Sequence, residues 1–226
     1  MIDIKGFLET SFVDWPGKIC SVLFLPYCNL RCPYCHNSPL VAHPERLVSI
    51  PIRDILERLA SFQGWIDGIC ITGGEPTLHA RLPLLIEEIR RRGFLVKLDT
   101  NGTDPELLKR LFADGQIDSV AMDVKAPLDP LRYRRAAGVP VDLDRVRESI
   151  EIIRSAGIEY HFRLTVVPGI HKTEDILTLA DQLRAGKRLV LQNFRSEHPL
   201  DPGLKAVVPF EPTVLKEVQS RIQAMI

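Results

Sequence analysis

Short apolar runs rich in β-branched residues alternate along this chain with longer stretches in which apolar positions recur every three to four residues. Runs of the first kind read as strands and stretches of the second as amphipathic helices. The strands so predicted are Ile19–Leu25, Gly68–Thr72, Phe94–Thr100, Ser119–Val124, Tyr160–Val167 and Leu189–Asn193. Between and after them lie helical patterns at Ile52–Phe62, Leu82–Arg92, Pro105–Asp114, Leu143–Ala156, Glu174–Arg184 and Pro212–Met225. Pro105 behind Asp104 marks a helix start, while Gly93 and Gly157 stand where two helices should stop. Regular strand–helix alternation predicts βα units and a parallel sheet. The expected fold is therefore α/β, a curved and mostly parallel sheet with helices outside, amounting to a partial (β/α)6 barrel in one domain over residues 1–226.

In folds of this kind chemistry collects at the C-terminal ends of the strands. The first strand runs into Leu25-Pro-Tyr-Cys-Asn-Leu-Arg-Cys-Pro-Tyr-Cys-His-Asn37, which spaces Cys28, Cys32 and Cys35 as C-x3-C-x2-C. Three thiolates so arranged can hold three irons of a cubane cluster and leave the fourth iron open, whereas electron-transfer clusters are normally held by four cysteines. A zinc site from the same cysteines plus His36 is the competing reading. Against it, His36 directly follows Cys35, and the second knuckle usual in zinc modules is missing. A disulfide framework fits less well, because the cysteine count of five is odd and the chain is long enough to need no staples.

Composition narrows the partners. Lys plus Arg and Asp plus Glu are balanced at 29 each, which gives no support for nucleic-acid or membrane binding. The apolar stretch at Val22–Leu25 is too short to span a bilayer, and Met1–Phe7 lacks the basic and apolar regions of a leader. A cytoplasmic location is expected, where free thiols stay reduced. Cys20 and Cys70 fall inside strands and read as small buried hydrophobes, so no second four-cysteine cluster can be built.

The remaining strand ends are polar or glycine-rich. Thr72-Gly-Gly-Glu-Pro76 offers backbone that a ligand can approach at Gly73 and Gly74, with the Glu75 carboxylate beside it. Asp99, Thr100 and Asn101 end the third strand and Asp123 the fourth, an oxygen-rich set suited to ribose hydroxyls, to a hard cation, or to capping the following turns. Strand alternation puts Lys125 on the same side as Asp123, and it points Arg163 into the lumen, where a cation needs a partner such as Asp123. His171 reads as a surface or capping residue. Asp14-Trp-Pro-Gly17 reads either as a tight turn around a packed tryptophan or as a rim for a partner, since aromatics are enriched at binding hot spots.

The cysteine loop followed one strand later by Gly-Gly-Glu-Pro resembles the radical S-adenosylmethionine (SAM) enzymes. Over nearly its whole length the chain looks like the glycyl-radical-enzyme activases of the pyruvate formate-lyase activating branch. Phe12-Val-Asp-Trp-Pro-Gly17 and Cys35-His-Asn37 look most like the anaerobic ribonucleoside-triphosphate reductase activating proteins. The resemblance implies a partial (β/α)6 barrel with a [4Fe–4S] cluster on Cys28, Cys32 and Cys35 and SAM on the open iron. It puts Tyr34 and His36 beside the adenine and Gly74 at the SAM amino group, with Gly73, Glu75, Asn101, Asp123, Lys125, Arg163 and Gln192 as further contacts. It also implies a monovalent cation on Asp99, Thr100, the Met122 backbone and Asp123. One departure stands out: a histidine common near the last strand edge in formate-lyase activases is replaced by Gln192-Asn-Phe-Arg195, with His198 displaced along the chain.

The activity implied is one-electron cleavage of SAM, driven by a reductant such as flavodoxin or ferredoxin, with the resulting radical taking an α-hydrogen from a glycine of a partner enzyme. Anaerobic ribonucleotide reductase is the first partner implied and a formate-lyase type enzyme the second. The glycine loop is expected to enter at the barrel mouth, near Trp15 and the last strand edge. Two other classes compete, a radical SAM enzyme acting on a small molecule and a zinc-binding interaction module.

Overall fold

The structure is a computed structural model that describes residues 2–184 and 188–225. Seven strands form one sheet in chain order: β1 (Gly6–Ser11), β2 (Cys20–Leu25), β3 (Gly68–Gly73), β4 (Leu95–Thr100), β5 (Ser119–Asp123), β6 (Glu159–Val166) and β7 (Leu189–Asn193). From β2 to β7 every neighbouring pair is parallel, and β1 and β7 are the two edges. The sheet is therefore curved but not closed, and all six predicted strands are present within a residue or two of their expected ends.

The helices are α1 (Ser38–Ala42), α2 (Ile52–Leu59), α3 (Leu82–Arg91), α4 (Pro105–Ala113), α5 (Pro130–Ala137), α6 (Leu143–Ser155), α7 (Thr173–Leu183) and α8 (Pro212–Gln223). Their starts follow elementary capping chemistry. Asp104 accepts from the Leu107 N–H ahead of Pro105, and Asp129 accepts from the Arg132 N–H ahead of Pro130. Gly93 and Gly157 take the left-handed conformation that lets the chain leave α3 and α6.

Three elements are additional to the expected set. β1 is a short, half-exposed edge strand paired antiparallel with β2 through an irregular register, and its mixed sequence hides the alternation. α1 is only five residues long. α5 carries Arg132, Arg134 and Arg135 and buries only Tyr133, Ala136 and Ala137, too thin an apolar stripe for periodicity to reveal.

Strand alternation divides the core. One face of the parallel strands, with residues such as Leu23, Ile69, Ile71, Val96, Leu98, Val120 and Leu164, packs against the helices in a single large cluster. The other face lines the lumen. At its N-terminal end Trp15, Cys20, Val22 and Cys70 form a separate apolar cluster with Phe24 and Leu95 against it. Trp15 is 1% exposed, lies against Gly68 at the start of β3, and donates its indole N–H to Glu159 at the start of β6 (3.5 Å). It packs into the floor of the lumen, while Val13 and Asp14 just before it reach the cavity wall. The expectation of Trp15 at the mouth is corrected here: residues 12–19 join the end of β1 to the start of β2, and that junction lies at the opposite end from the cysteine loop. The turn itself is as expected, with Pro16 and left-handed Gly17 inside a Lys18 N–H to Trp15 carbonyl bond of 3.1 Å.

Candidate active site

The loop after β2 brings Cys28, Cys32 and Cys35 to the wall of one cavity of about 760 Å³. The same cavity is lined by Tyr34, His36, Gly73, Gly74, Glu75, Asp99, Thr100, Asn101, Asp123, Lys125, Arg163 and Gln192. The expected site residues thus converge, apart from Met122, whose side chain is buried on the helix side of β5 against Gly102.

The loop is held by close backbone packing. Tyr27, the residue before Cys28, has φ +64°, a left-handed conformation that a non-glycine residue adopts only under outside constraint. That constraint comes from the end of β3. Glu75 N–H donates to the Tyr27 carbonyl (2.7 Å), and Gly74 N–H donates to the Leu25 carbonyl (2.8 Å). A Cβ on Gly74 would fall 1.8 Å from the Tyr27 oxygen, and one on Gly73 2.3 Å from the Leu25 oxygen. The glycine pair is therefore required by the cysteine loop itself, whatever it also offers to a ligand. The Gly73 carbonyl already accepts from the Asn37 side chain at 2.7 Å.

The far side of the loop rests on α5. Arg31 N–H donates to the Ala137 carbonyl (2.9 Å), and a Cβ on Gly138, at φ +74°, would meet the Arg31 oxygen at 2.0 Å. Sequence reasoning missed this support, although Asp129-Pro130 and Gly138 are start and stop signals that bracket the helix.

Glu75 is 1% exposed and saturated. Its carboxylate accepts from the Thr77 N–H (3.1 Å) and hydroxyl (2.6 Å), the Thr100 hydroxyl (2.7 Å) and the Asn101 N–H (2.6 Å). It fastens the end of β3 to the end of β4. Burial pushes its carboxyl up, against the pull of these donors. Asn101 continues the wall, donating to Asn29 (2.9 Å), with its amide 3.9 Å from the Cys28 sulfur.

Across the lumen runs an alternating chain of charges, buried at Lys97 and Asp99 and half-buried at Arg163, Asp123 and Lys125. Lys97 pairs with Asp99, Arg163 bridges Asp99 (3.0 Å) and Asp123 (2.5 Å), and Lys125 reaches Asp123 at 3.1 Å. Burial alone would raise both carboxyls, but the cations beside them win: Arg163 with Lys97 holds Asp99 below the usual carboxylate range, and Arg163 with Lys125 holds Asp123 well below it. Lys97 is 1% exposed and belongs to no motif, so sequence reasoning passed over it; the signal was its inward position two residues before Asp99.

His36 accepts from the Arg195 N–H (3.2 Å) and stacks on buried Phe194 with ring centroids 6.2 Å apart. Burial and the Arg195 charge lower its pKa, so it stands neutral. Tyr34 is buried with a hydroxyl that has no hydrogen-bond partner among the described residues. The surface reading of His171 is corrected. It is 3% exposed, accepts from the Val167 N–H (3.1 Å) and lies 2.8 Å from the Lys125 carbonyl, tying the loop after β6 to the segment after β5. His198 stays outside the cavity wall, its carbonyl accepting from Ser38 at 2.8 Å.

The donor set fits an iron–sulfur cluster. Three thiols face one cavity, and Cys28 sulfur accepts from the Leu30 N–H at 3.3 Å. Burial pushes the Cys28 thiol up to about 11 and raises Cys32 and Cys35, so a metal held there would have to displace their protons.

Comparison with known proteins agrees with this geometry. Residues 22–183 match the radical SAM superfamily. A protein of Methanocaldococcus jannaschii, provisionally named a glycyl-radical enzyme activating enzyme, is 30% identical over 220 residues, covering 95% of this chain and 89% of that protein. The pyruvate formate-lyase-activating enzyme of Staphylococcus aureus is 32% identical over 151 residues, 61% of this chain and 59% of that protein. Among solved structures, Streptococcus suis SuiB bound to S-adenosylmethionine superposes with a TM-score of 0.64 at 19% identity, over 89% of this chain and 48% of SuiB, a likeness of fold. The chain belongs to the radical SAM superfamily and, within it, to the family of glycyl-radical enzyme activating enzymes. Members of the superfamily use a [4Fe–4S] cluster and SAM. No helix among the described residues is long and apolar enough to cross a membrane.

Proposed function

We propose that this chain generates a glycyl radical on anaerobic ribonucleoside-triphosphate reductase, using a [4Fe–4S] cluster on Cys28, Cys32 and Cys35 and SAM in the same cavity. The observation that carries the reading is the convergence of these three thiols with the Lys97–Asp99–Arg163–Asp123–Lys125 chain on one lumen. When bound, cluster and SAM supply the one-electron cleavage that yields methionine and a 5′-deoxyadenosyl radical.

The protein's own part is to bind, orient and exclude water. Three cysteines leave one iron for an outside ligand. Lys125, on the cavity wall, has an ammonium that can turn from Asp123 to a ligand carboxylate. The second lone pair of the Gly73 carbonyl suits an ammonium. Neutral His36 on Phe194, with Tyr34 nearby in the loop, offers aromatic surface and a ring edge to an adenine, and Gln192 adds an amide. Trp15 fills the far end of the lumen, and the cysteine end is the entry we assign to a partner's glycine loop. Glycine suits that entry, having no side chain to bar close approach. The reductant is a small one-electron carrier such as flavodoxin or ferredoxin. The choice of ribonucleotide reductase over a formate-lyase type enzyme rests on the resemblance carried by Phe12–Gly17 and Cys35–Asn37.

The test is anaerobic reconstitution with iron and sulfide, then low-temperature EPR of the dithionite-reduced protein with and without SAM. A cubane signal that changes on adding SAM and is lost in Cys32→Ala is expected. Addition of the reductase should then yield a glycyl radical doublet on the reductase. A signal indifferent to SAM would sink the reading, and a doublet only on a formate-lyase would move the partner.

A further inference from the structure

We propose that the Lys97 ammonium supplies, through Asp99, the positive charge that the family resemblance assigns to a monovalent cation, so that SAM binding here needs no free alkali cation. The inference rests on the reading of the cavity as a SAM site. Its ground is that the side-chain oxygens available to a cation are committed to other partners. One oxygen of Asp99 is paired with Lys97 and the other with Arg163 at 3.0 Å. Each oxygen of Asp123 likewise carries one cation, Arg163 at 2.5 Å and Lys125 at 3.1 Å. The Thr100 hydroxyl donates to Glu75 (2.7 Å) and accepts from the Gly102 N–H (3.1 Å).

Charge counting leads to the same place. Lys97, Arg163 and Lys125 against Asp99 and Asp123 leave the chain at net +1. A largely desolvated network of that sign is complementary to one ligand carboxylate, and an added cation would bring a second uncompensated charge into the lumen. A lysine ammonium is a compact point charge with three donors, so it can hold Asp99 as an alkali ion would, without exchanging with solvent. Lys97 touches Asp99 and not the ligand space: it is absent from the cavity wall, while Asp99, Asp123, Lys125 and Arg163 are all part of it. It is a positioning residue, acting through Asp99 on Arg163.

The experiment is SAM affinity, read from the SAM-dependent change in the EPR signal of the reduced, reconstituted protein, in potassium chloride and in choline chloride at equal ionic strength. Wild type should bind SAM within about twofold equally in the two salts, and Lys97→Ala should bind at least about tenfold more weakly in choline, with potassium or ammonium restoring most of the loss. Wild-type affinity that falls about tenfold in choline would overturn the proposal. So would Lys97→Ala protein weakened equally in both salts, since general damage is indifferent to the cation. If Lys97→Ala does not fold, the wild-type comparison alone decides. Absence of any response to SAM in either salt would instead remove the SAM reading, and this inference with it.

Discussion

At the mouth of the lumen three thiols stand on a loop around a cavity, and at its floor Cys20 and Cys70 lie fully buried beneath Trp15. Mouth and floor are built on the same strands and use the same residue type, yet their thiols are set in different surroundings. At the floor each thiol projects from a strand into a packed apolar cluster, its pKa raised chiefly by burial, and Cys70 has only Lys97 and Asp99 as weak partners at 3.7 and 3.5 Å. At the mouth the thiols come from irregular backbone that has left the sheet, and three of them line one cavity. The difference lies in backbone freedom more than in the cysteines: a parallel strand spaces its inward residues rigidly, whereas a loop can gather them.

The comparison breaks most severely where that loop meets the glycine pair. Gly74→Ala would drive a Cβ into the Tyr27 carbonyl at 1.8 Å, and backbone on both sides cannot yield without moving Cys28. We expect destabilisation above about 4 kcal/mol in chemical denaturation, and no iron retained by whatever protein folds. Gly93→Ala is the control. It has a positive φ, +84°, which Gly74 lacks, but an added Cβ there meets nothing within 4 Å, so it should cost about 1 kcal/mol and leave iron loading intact.

The floor should respond in the opposite way. Trp15→Ala empties the largest buried side chain of the lumen and removes the contact with Glu159. A loss of about 3–5 kcal/mol is expected for truncating a buried aromatic. Iron content of the folded fraction should stay that of wild type, because no cysteine of the loop touches the tryptophan cluster. A cluster lost together with stability would show that floor and mouth are coupled, and the division between them would fall.

How far this division could be read from sequence depended on the kind of signal. Six strands announced themselves by apolar runs, and the C-terminal-edge rule then gathered the cysteine loop, Gly73, Asp99, Asp123 and Lys125 at one end before any contact was known. Local signals missed what depends on distant packing. Nothing in Asp14–Gly17 says which end of the barrel the turn occupies, and the antiparallel β1 that decides it has too irregular a pattern to read. His171 sits in a turn by sequence, but becomes a buried strut because Lys125, 46 residues away, offers its carbonyl. Lys97 was passed over because it belongs to no motif, and only its contact with Asp99, itself held by Arg163, shows how a lysine can sit inside the barrel. Gly74 could be read as a site for ligand approach, while its nearer duty to Tyr27 required coordinates.

The smallest effect expected is also the sharpest test of the difference between the two sets of thiols. Cys70→Ala removes one sulfur from a packed cluster, leaving Lys97 paired with Asp99, and should cost about 1–2 kcal/mol by loss of buried surface and a small cavity. Cys20→Ala should cost a similar amount. Both variants should reconstitute with the iron content and EPR signal of wild type, whereas each of Cys28→Ala, Cys32→Ala and Cys35→Ala should lose the signal at little cost to the apoprotein's stability. Stability and iron loading would then separate cleanly by end of the lumen. A fall in iron content in Cys70→Ala would mean that the floor reaches the metal through Lys97 and Asp99, the two residues that link Cys70 to the charge network above it.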